Sequence, residues 1–201
     1  MKYTISYIRH DALMRERHLL PSLDKLEGEF DVDYVKSEEG CPAKNYNKII
    51  DRSKNRYIIF THEDIAFTSD MLKQVDSTIE KVKRFGVLGL VGKTKDAPQR
   101  WSKTSCLYEY ITVDCCFFII DKQNCIRFDN KTFDGLHMYG EDYARQCTGH
   151  GLINYSIYTT PKHIKHHSNT CKKKGWMWGN WKTYKKRYTE KWKKHEALCS
   201  K

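Results

Sequence analysis

Period-two alternation opens the chain. Tyr3, Ile5 and Tyr7 fall on one side of the stretch from Lys2 to Arg9, which predicts a first strand. Phe30 to Val35 (FDVDYV) alternates again and predicts a second. Tyr57 to Thr61 (YIIFT) does not alternate. A continuous apolar run of that length reads as a strand covered on both faces, the habit of parallel sheets. Phe85 to Val91 (FGVLGLV), much of Tyr108 to Ile120, and Asn154 to Thr159 predict further strands, with 92–105, polar and holding Pro98, as a loop.

Between these runs the period changes. Leu72, Val75, Ile79 and Val82 form one apolar stripe behind a cap at Ser69 or Asp70, which predicts a helix. Lys44 to Arg52 predicts another, and Gly140 to Thr148 a short one ended by Gly149 and Gly151. His18 to Leu26 reads as a short helix or turn, its start limited by Pro21. Trp176 to Leu198 predicts a final helix with Trp181, Tyr184, Tyr188 and Trp192 near one face. Alternating strands and helices predict an α/β fold: a mixed, mainly parallel central sheet flanked by helices, with an aromatic and basic helix at the C-terminus. In 201 residues this is one domain over 1–170 carrying an extension over 171–201.

Composition narrows the class. The longest apolar run, Cys115 to Ile120, is far short of the roughly 18 to 20 residues of a membrane span, and Met1 to Ile5 has no signal-peptide pattern, so a cytoplasmic protein is expected. The eight cysteines are then expected as reduced thiols. Net charge is +11, but residues 171–201 hold 11 Lys and Arg against 2 acids, whereas the first 170 hold 25 against 23. A nearly neutral body with a basic tail argues against a nucleic-acid-binding domain. The tail suits an amphipathic helix docked by its aromatic face, or peripheral contact with an anionic membrane surface.

Three groups of residues could carry chemistry. His62-Glu63-Asp64 follows an apolar strand, where open α/β sheets bind ligands, and residues at i and i+2 can share one Mg²⁺ or Mn²⁺. Glu141-Asp142 opens a helix, where carboxylates stay ionised and can deprotonate a hydroxyl. His163, His166 and His167 follow another strand and are candidate metal ligands. Against these stands a zinc-like spacing, Cys147-x2-His150 with His163-x2-His166, the basis of an alternative: a basic zinc-knuckle protein that binds nucleic acid.

In order along the chain, AKNYNKII (43–50), RYIIFTHEDI (56–65), FGVLGLVG (85–92), VDCCFFII (113–120), FDGLHMYGEDYARQCTGHG (133–151), KHHS (165–168) and YTEKW (188–192) resemble the family-2-like glycosyltransferases of the GT-A (Rossmann-like) fold. Within them the likeness is to a small group whose metal motif reads H-x-D. The resemblance implies a metal-dependent, inverting transfer of a sugar from a nucleotide-diphosphate donor, such as a UDP-sugar, to a glycan or glycoconjugate hydroxyl. His62-Glu63-Asp64 would then stand for the D-x-D element, Asp64 binding Mn²⁺ or Mg²⁺ with His62 and Glu63 toward the donor. Asp142 would be the catalytic base, with Glu141 shaping its site. His166 or His167 would be a late metal ligand, Asp114 and Asn47 would meet the donor, and Ile8 and Arg9 the nucleotide base.

Overall fold

The computed structural model describes residues 1–9, 11–36, 41–103, 106–135, 137–159, 163–167 and 178–199. Strand β1 (Lys2–Arg9) leads into a helical segment made of α1 (Ala12–Met14), one π-helical turn (Arg15–Leu19) and α2 (Leu20–Leu23). The Asp11 carboxylate starts that segment by accepting the Met14 N–H at 3.1 Å. Strand β2 (Glu29–Lys36) then returns parallel to β1, in register from Lys2 opposite Glu29 to Arg9 opposite Lys36.

Helix α3 (Pro42–Arg52) has Pro42 in its first turn, where a missing N–H costs nothing, and buries Tyr46, Ile49 and Ile50. Strand β3 (Tyr57–Thr61) is buried throughout, as its unbroken apolar run predicts. Ile59 faces one core, with Tyr3, Ile5, Leu72, Val75 and Ile79; Ile58 and Phe60 face the other, with Tyr46, Ile49 and Tyr143. Pleat geometry explains the split, because successive side chains leave a strand on opposite faces. After β4 (Ile65–Phe67) comes α4 (Met71–Val82), whose buried Leu72, Val75 and Ile79 are the predicted stripe. Asp70 stands at the cap position, but its side chain does not cap the helix; it accepts instead from Thr68 Oγ1 at 2.6 Å.

The sequence from 85 to 121 is more broken than its hydrophobicity predicts. It forms β5 (Leu88–Gly89), β6 (Val91–Lys93), β7 (Arg100–Trp101), β8 (Glu109–Tyr110), β9 (Thr112–Val113) and β10 (Phe117–Asp121). The apolar run from Phe85 changes sheets at Leu90: β5 lies in the main sheet, and β6 pairs antiparallel with β7 and β9. Gly89 permits this crossing, since Val113 occupies the space a Cβ would need. The expected loop over 92–105 therefore contains β-structure. Helix α5 (Tyr139–Gly149), β11 (Asn154–Ser156), β12 (Ile164–His166) and α6 (Trp178–Cys199) complete the fold.

The main sheet runs β2-β1-β3-β10-β5-β11-β8. Five of its seven strands share one direction, and β10 and β8 oppose them. A separate antiparallel ladder joins β4 to β12. The six cysteines described, among them Cys115, Cys116 and Cys147, are free thiols.

Helix α6 lies against the second core through Tyr184, with Tyr188 packed on it, and Tyr184 and Trp192 are both buried. Tyr184 donates to Asp134 Oδ1 at 3.0 Å and lies over Gly135, which leaves no room for a Cβ there. Arg187 pairs with Asp134 at 2.7 Å, and Lys191 with Asp129 at 2.9 Å. Residues 171–177, with Trp176 at the expected start of this helix, lie outside the described residues. Trp192→Ala removes a buried ring and an indole hydrogen bond together, so it should cost about 3–5 kcal/mol, read as a lower urea midpoint with an unchanged slope.

Candidate functional site

Where β3 ends, at Thr61, the chain turns through His62, Glu63 and Asp64 into β4. The β4–β12 ladder sets Ile65 opposite His166, and the His167 N–H donates to the Asp64 carbonyl at 2.8 Å. This pairing carries the His166 ring across to the Asp64 carboxylate, Nε2 to Oδ2 at 3.2 Å. His62 approaches from the other side, Nδ1 to Asp64 Oδ1 at 4.0 Å. One nitrogen from each histidine and one Asp64 oxygen lie within 4.8 Å of one another, the only such metal-ligating group among the described residues.

Asp64 is buried, and its Oδ1 has no hydrogen-bond partner among them. An unsatisfied carboxylate oxygen between two imidazoles fits a divalent cation, and a nitrogen and oxygen donor set suits Mn²⁺. Burial raises the Asp64 pKa, but the His166 hydrogen bond and the charges of both histidines outweigh it and leave the group below its ordinary value. Burial lowers His166, yet its hydrogen bond to Asp64 and the charges of Asp64 and Asp114 lift it above the usual imidazole range.

The neighbouring wall is the turn between β9 and β10. The His62 N–H donates to the Cys116 carbonyl at 3.0 Å, and Asp114, exposed, holds the turn by accepting the Cys116 N–H at 2.8 Å. The N-terminus of α5 presses on the same turn: a Cβ on Gly140 would stand 2.9 Å from Cys115 Sγ. Next along α5, half-buried Glu141 accepts from Cys115 Sγ at 3.5 Å. Burial, then the Asp114 charge, push its carboxyl up to about 7.

Asp142 differs. It is fully buried, and Gln146 Nε2 (2.7 Å), Lys191 Nζ (2.8 Å) and Trp192 Nε1 (3.0 Å) surround its oxygens. Burial raises its pKa in spite of the opposing Lys191 charge and those hydrogen bonds.

The side chains of the other candidates are engaged elsewhere. Glu63 is 1% exposed; one oxygen accepts from Arg15 Nη1 at 3.0 Å and the other from the Asp11 N–H at 2.5 Å. It ties the loop after β1 to the end of β3. Ile8 and Arg9 end β1 on the same sheet edge, the Arg9 guanidinium 4.7 Å over the Tyr34 ring. Asn47 uses its side-chain amide on both the carbonyl and the N–H of Phe128, at 2.9 and 3.0 Å. His167 stacks on His18 with ring centres 3.8 Å apart, so His166 is the histidine of that pair that faces Asp64. The zinc-like grouping does not form. Cys147 is fully buried inside the second core, and His166 is turned to Asp64. Linear spacing says nothing about burial, and here burial decides.

Sequence reasoning missed Arg15, Cys115 and Lys191. Arg15 and Cys115 carry no local pattern, and Lys191 is one of many lysines around the aromatic stripe of α6.

A family described as "Glycosyltransferase like family" matches residues 5–109, just over half of the chain. The chain belongs to this family. The match holds β1 from Ile5 onward, β2, β3 and the His62–Asp64 motif; the α5 acids and His166 lie beyond it. A sequence search of curated proteins finds no match. Among solved structures, S. aureus TarS 1–349 is similar at 14% identity and a TM-score of 0.59, with 82% of this chain and 59% of that one covered. The same TarS fragment in complex with UDP-GlcNAc gives 15% identity, a TM-score of 0.58 and coverage of 82% and 57%. GalNAc-T7, solved with UDP, GalNAc and Mn²⁺, is similar at 10% identity and a TM-score of 0.63, with 82% and 43% covered. These likenesses show the GT-A fold, and this family member spans less than two thirds of either neighbour.

Metal ligands must shed their protons, so a cation at this family member's cluster would compete with the proton on His166. Because His166 sits above its ordinary value, the rise in Tm on adding Mn²⁺ should be larger at a pH of about 8 than of about 6.

Proposed function

We propose that the protein is a metal-dependent glycosyltransferase that moves a sugar from a nucleotide-diphosphate sugar, with UDP the favoured nucleotide, to a hydroxyl of a glycan or glycoconjugate. The observation that carries this reading is the His62–Asp64–His166 cluster at the carboxyl end of β3, with a buried Asp64 oxygen left unpaired, beside the carboxylates that open α5. Two of the similar structures were solved with UDP or a UDP-sugar, and one of these also holds Mn²⁺.

His62, Asp64 and His166 would hold Mn²⁺ or Mg²⁺. When bound, that cation would neutralise charge on the donor's two phosphates as they leave. Ile8 and Arg9, at the end of β1, would meet the nucleotide base; the π-helical turn that follows them is anchored to Glu63 through Arg15. Exposed Asp114 lies between the cluster and α5, where a donor sugar or an acceptor hydroxyl could be oriented. The Glu141–Asp142 pair supplies the base for a single displacement at the anomeric carbon, which inverts its configuration.

Donor binding tests the reading directly. UDP-GlcNAc at about a hundred times its Kd should stabilise the protein by about 2.7 kcal/mol, a rise of several degrees in Tm, only when Mn²⁺ or Mg²⁺ is present. Asp64→Ala should abolish that shift while the protein stays folded. An equal shift without metal would refute metal dependence.

No helix among the described residues is long and apolar enough to cross a membrane. The outward face of α6 exposes Lys182, Lys185, Lys186 and Lys193, which suits peripheral contact with anionic headgroups. In flotation with anionic vesicles, wild type should rise with the lipid and a variant with these four lysines changed to Gln should stay behind.

A further inference from the structure

We propose that a cavity at the C-terminal end of α5 binds carbohydrate, namely the part of the acceptor glycan that lies away from the bond being made. The link to the acceptor rests on the transfer reaction proposed above; the cavity and its chemistry do not.

The cavity has a volume of about 400 Å³, and its wall is drawn from the loop after β6, from β8, from the last turn of α5 and from the entry to β11. That volume suits a small ligand or one end of a larger one. His62, Asp64, His166, Glu141 and Asp142 are not part of its wall. Leu107, Ile111, Leu152 and Ile153 form the apolar surface, and Ile153 is 45% exposed. Tyr108 lines the cavity as well. The Arg100 guanidinium stands 4.8 Å over the Tyr108 ring and is itself held by Asp96 at 2.7 Å. Arg100 is not part of the lining, so it backs the ring rather than filling the space.

The polar groups of the wall divide into two sets. Some are spent on the protein itself. Thr94 Oγ1 donates to Asp96 Oδ1 at 2.6 Å, Tyr110 Oη to the Arg100 carbonyl at 2.8 Å, and Asn154 Nδ2 to the Ala144 carbonyl at 2.8 Å. Others are free: the Lys95 ammonium, the Glu109 carboxylate and the Tyr108 hydroxyl have no hydrogen bond or ion pair among the described residues. The backbone adds to this set. The Tyr108 carbonyl accepts the Ser156 N–H at 2.8 Å, and Tyr110 lies opposite Asn154 in β11. Glu109, between them, therefore turns its own N–H and C=O away from β11, and β8 is the outermost strand of the main sheet.

The two unpaired charges, one ammonium and one carboxylate, cancel, so the wall favours neither an anion nor a cation. Free donors and acceptors stand beside an aromatic ring and aliphatic side chains. A neutral sugar matches that combination. Its hydroxyls bond to the carboxylate, the ammonium and the open backbone groups, and its C–H face packs on the electron-rich face of a ring. A peptide strand matches less well, because β8 is two residues long, too short a ladder to hold an added strand.

Two elements measure the distance to the transfer centre. Thr148 in the cavity wall is seven residues along α5 from Glu141, about 10 Å at the helical rise. Ile111 is three residues from Asp114 through β9, again about 10 Å at the strand rise. A short oligosaccharide spans that distance, whereas a single sugar does not. An acceptor gripped here by its inner units offers its terminal hydroxyl at the turn that carries Asp114.

The test is calorimetric titration of the full chain with chitohexaose, cellohexaose, maltohexaose and mannohexaose, in the absence of Mn²⁺ and UDP-sugar. At least one should bind saturably. Glu109→Gln changes an exposed side chain and should weaken that binding about tenfold at an unchanged Tm, the size of one lost hydrogen bond to a charged group. Tyr108→Ala should weaken it at least as much; if that variant melts early, Glu109→Gln alone decides. No binding of any of the four sugars would overturn the proposal, and so would a wild-type affinity in Glu109→Gln, which would put the glycan elsewhere. Saturable glycan binding without a Mn²⁺-dependent donor shift leaves the cavity a carbohydrate site and removes the transfer reaction. The reverse pattern removes the role of the cavity alone.

Discussion

The short antiparallel ladder between β4 and β12 is the constraint on which the site depends. It spans three residue pairs, Ile65–His166, Ala66–Lys165 and Phe67–Ile164, joining segments about a hundred residues apart. Without it, His62-Glu63-Asp64 would be a polar strand end like many others. With it, a buried carboxylate receives a second imidazole. The apolar ends of the ladder, Ile65 and Ile164, are fully buried in the first core, so hydrophobic packing fixes a polar contact that could not hold itself together in water.

Two further ties make the arrangement rigid. Glu63, between the two cluster residues, is bound to Arg15 and to the Asp11 N–H, locking the strand end to the π-helical turn after β1. Breaking a buried pair of this kind leaves one charge uncompensated, typically a loss of about 3–5 kcal/mol. The His62 N–H is bound to Cys116, locking the same strand end to the turn that carries Asp114. Motif residues that never meet a ligand can still be indispensable, because they set where their neighbours point.

The sequence made some of this legible and hid the rest for identifiable reasons. The unbroken apolar run from Tyr57 to Thr61 and the period of the Leu72–Val75–Ile79 stripe are both plain in the sequence, and both elements stand where these signals put them. The run from Phe85 to Val91 is equally apolar but divides between two sheets, because Gly89 passes under Val113. Hydropathy cannot see that contact. At the site, the end of β3 marks His62 and Asp64, but β12 is only three residues long and gives no alternation to read. His166 and His167 are equivalent on paper, and only pairing register separates the one facing Asp64 from the one stacked on His18. Glu141 and Asp142 are likewise indistinguishable until α6 is seen to close over one of them.

The clasp between α6 and Asp142 also imposes an order on assembly. Asp142 and its indole partner are 50 residues apart in the chain, and the acid emerges from the ribosome first. Until Lys191 and Trp192 have been made, this carboxylate has no cation to balance it in an apolar interior, and α5 has little reason to settle in its final rotation. The β1–β2–β3 sheet and the Glu63–Arg15 tie can form early from nearby sequence. The wall made by α5 and α6 is the last part of the nascent protein to take shape, and a truncated product would carry the β1–β2–β3 framework with that wall unfinished.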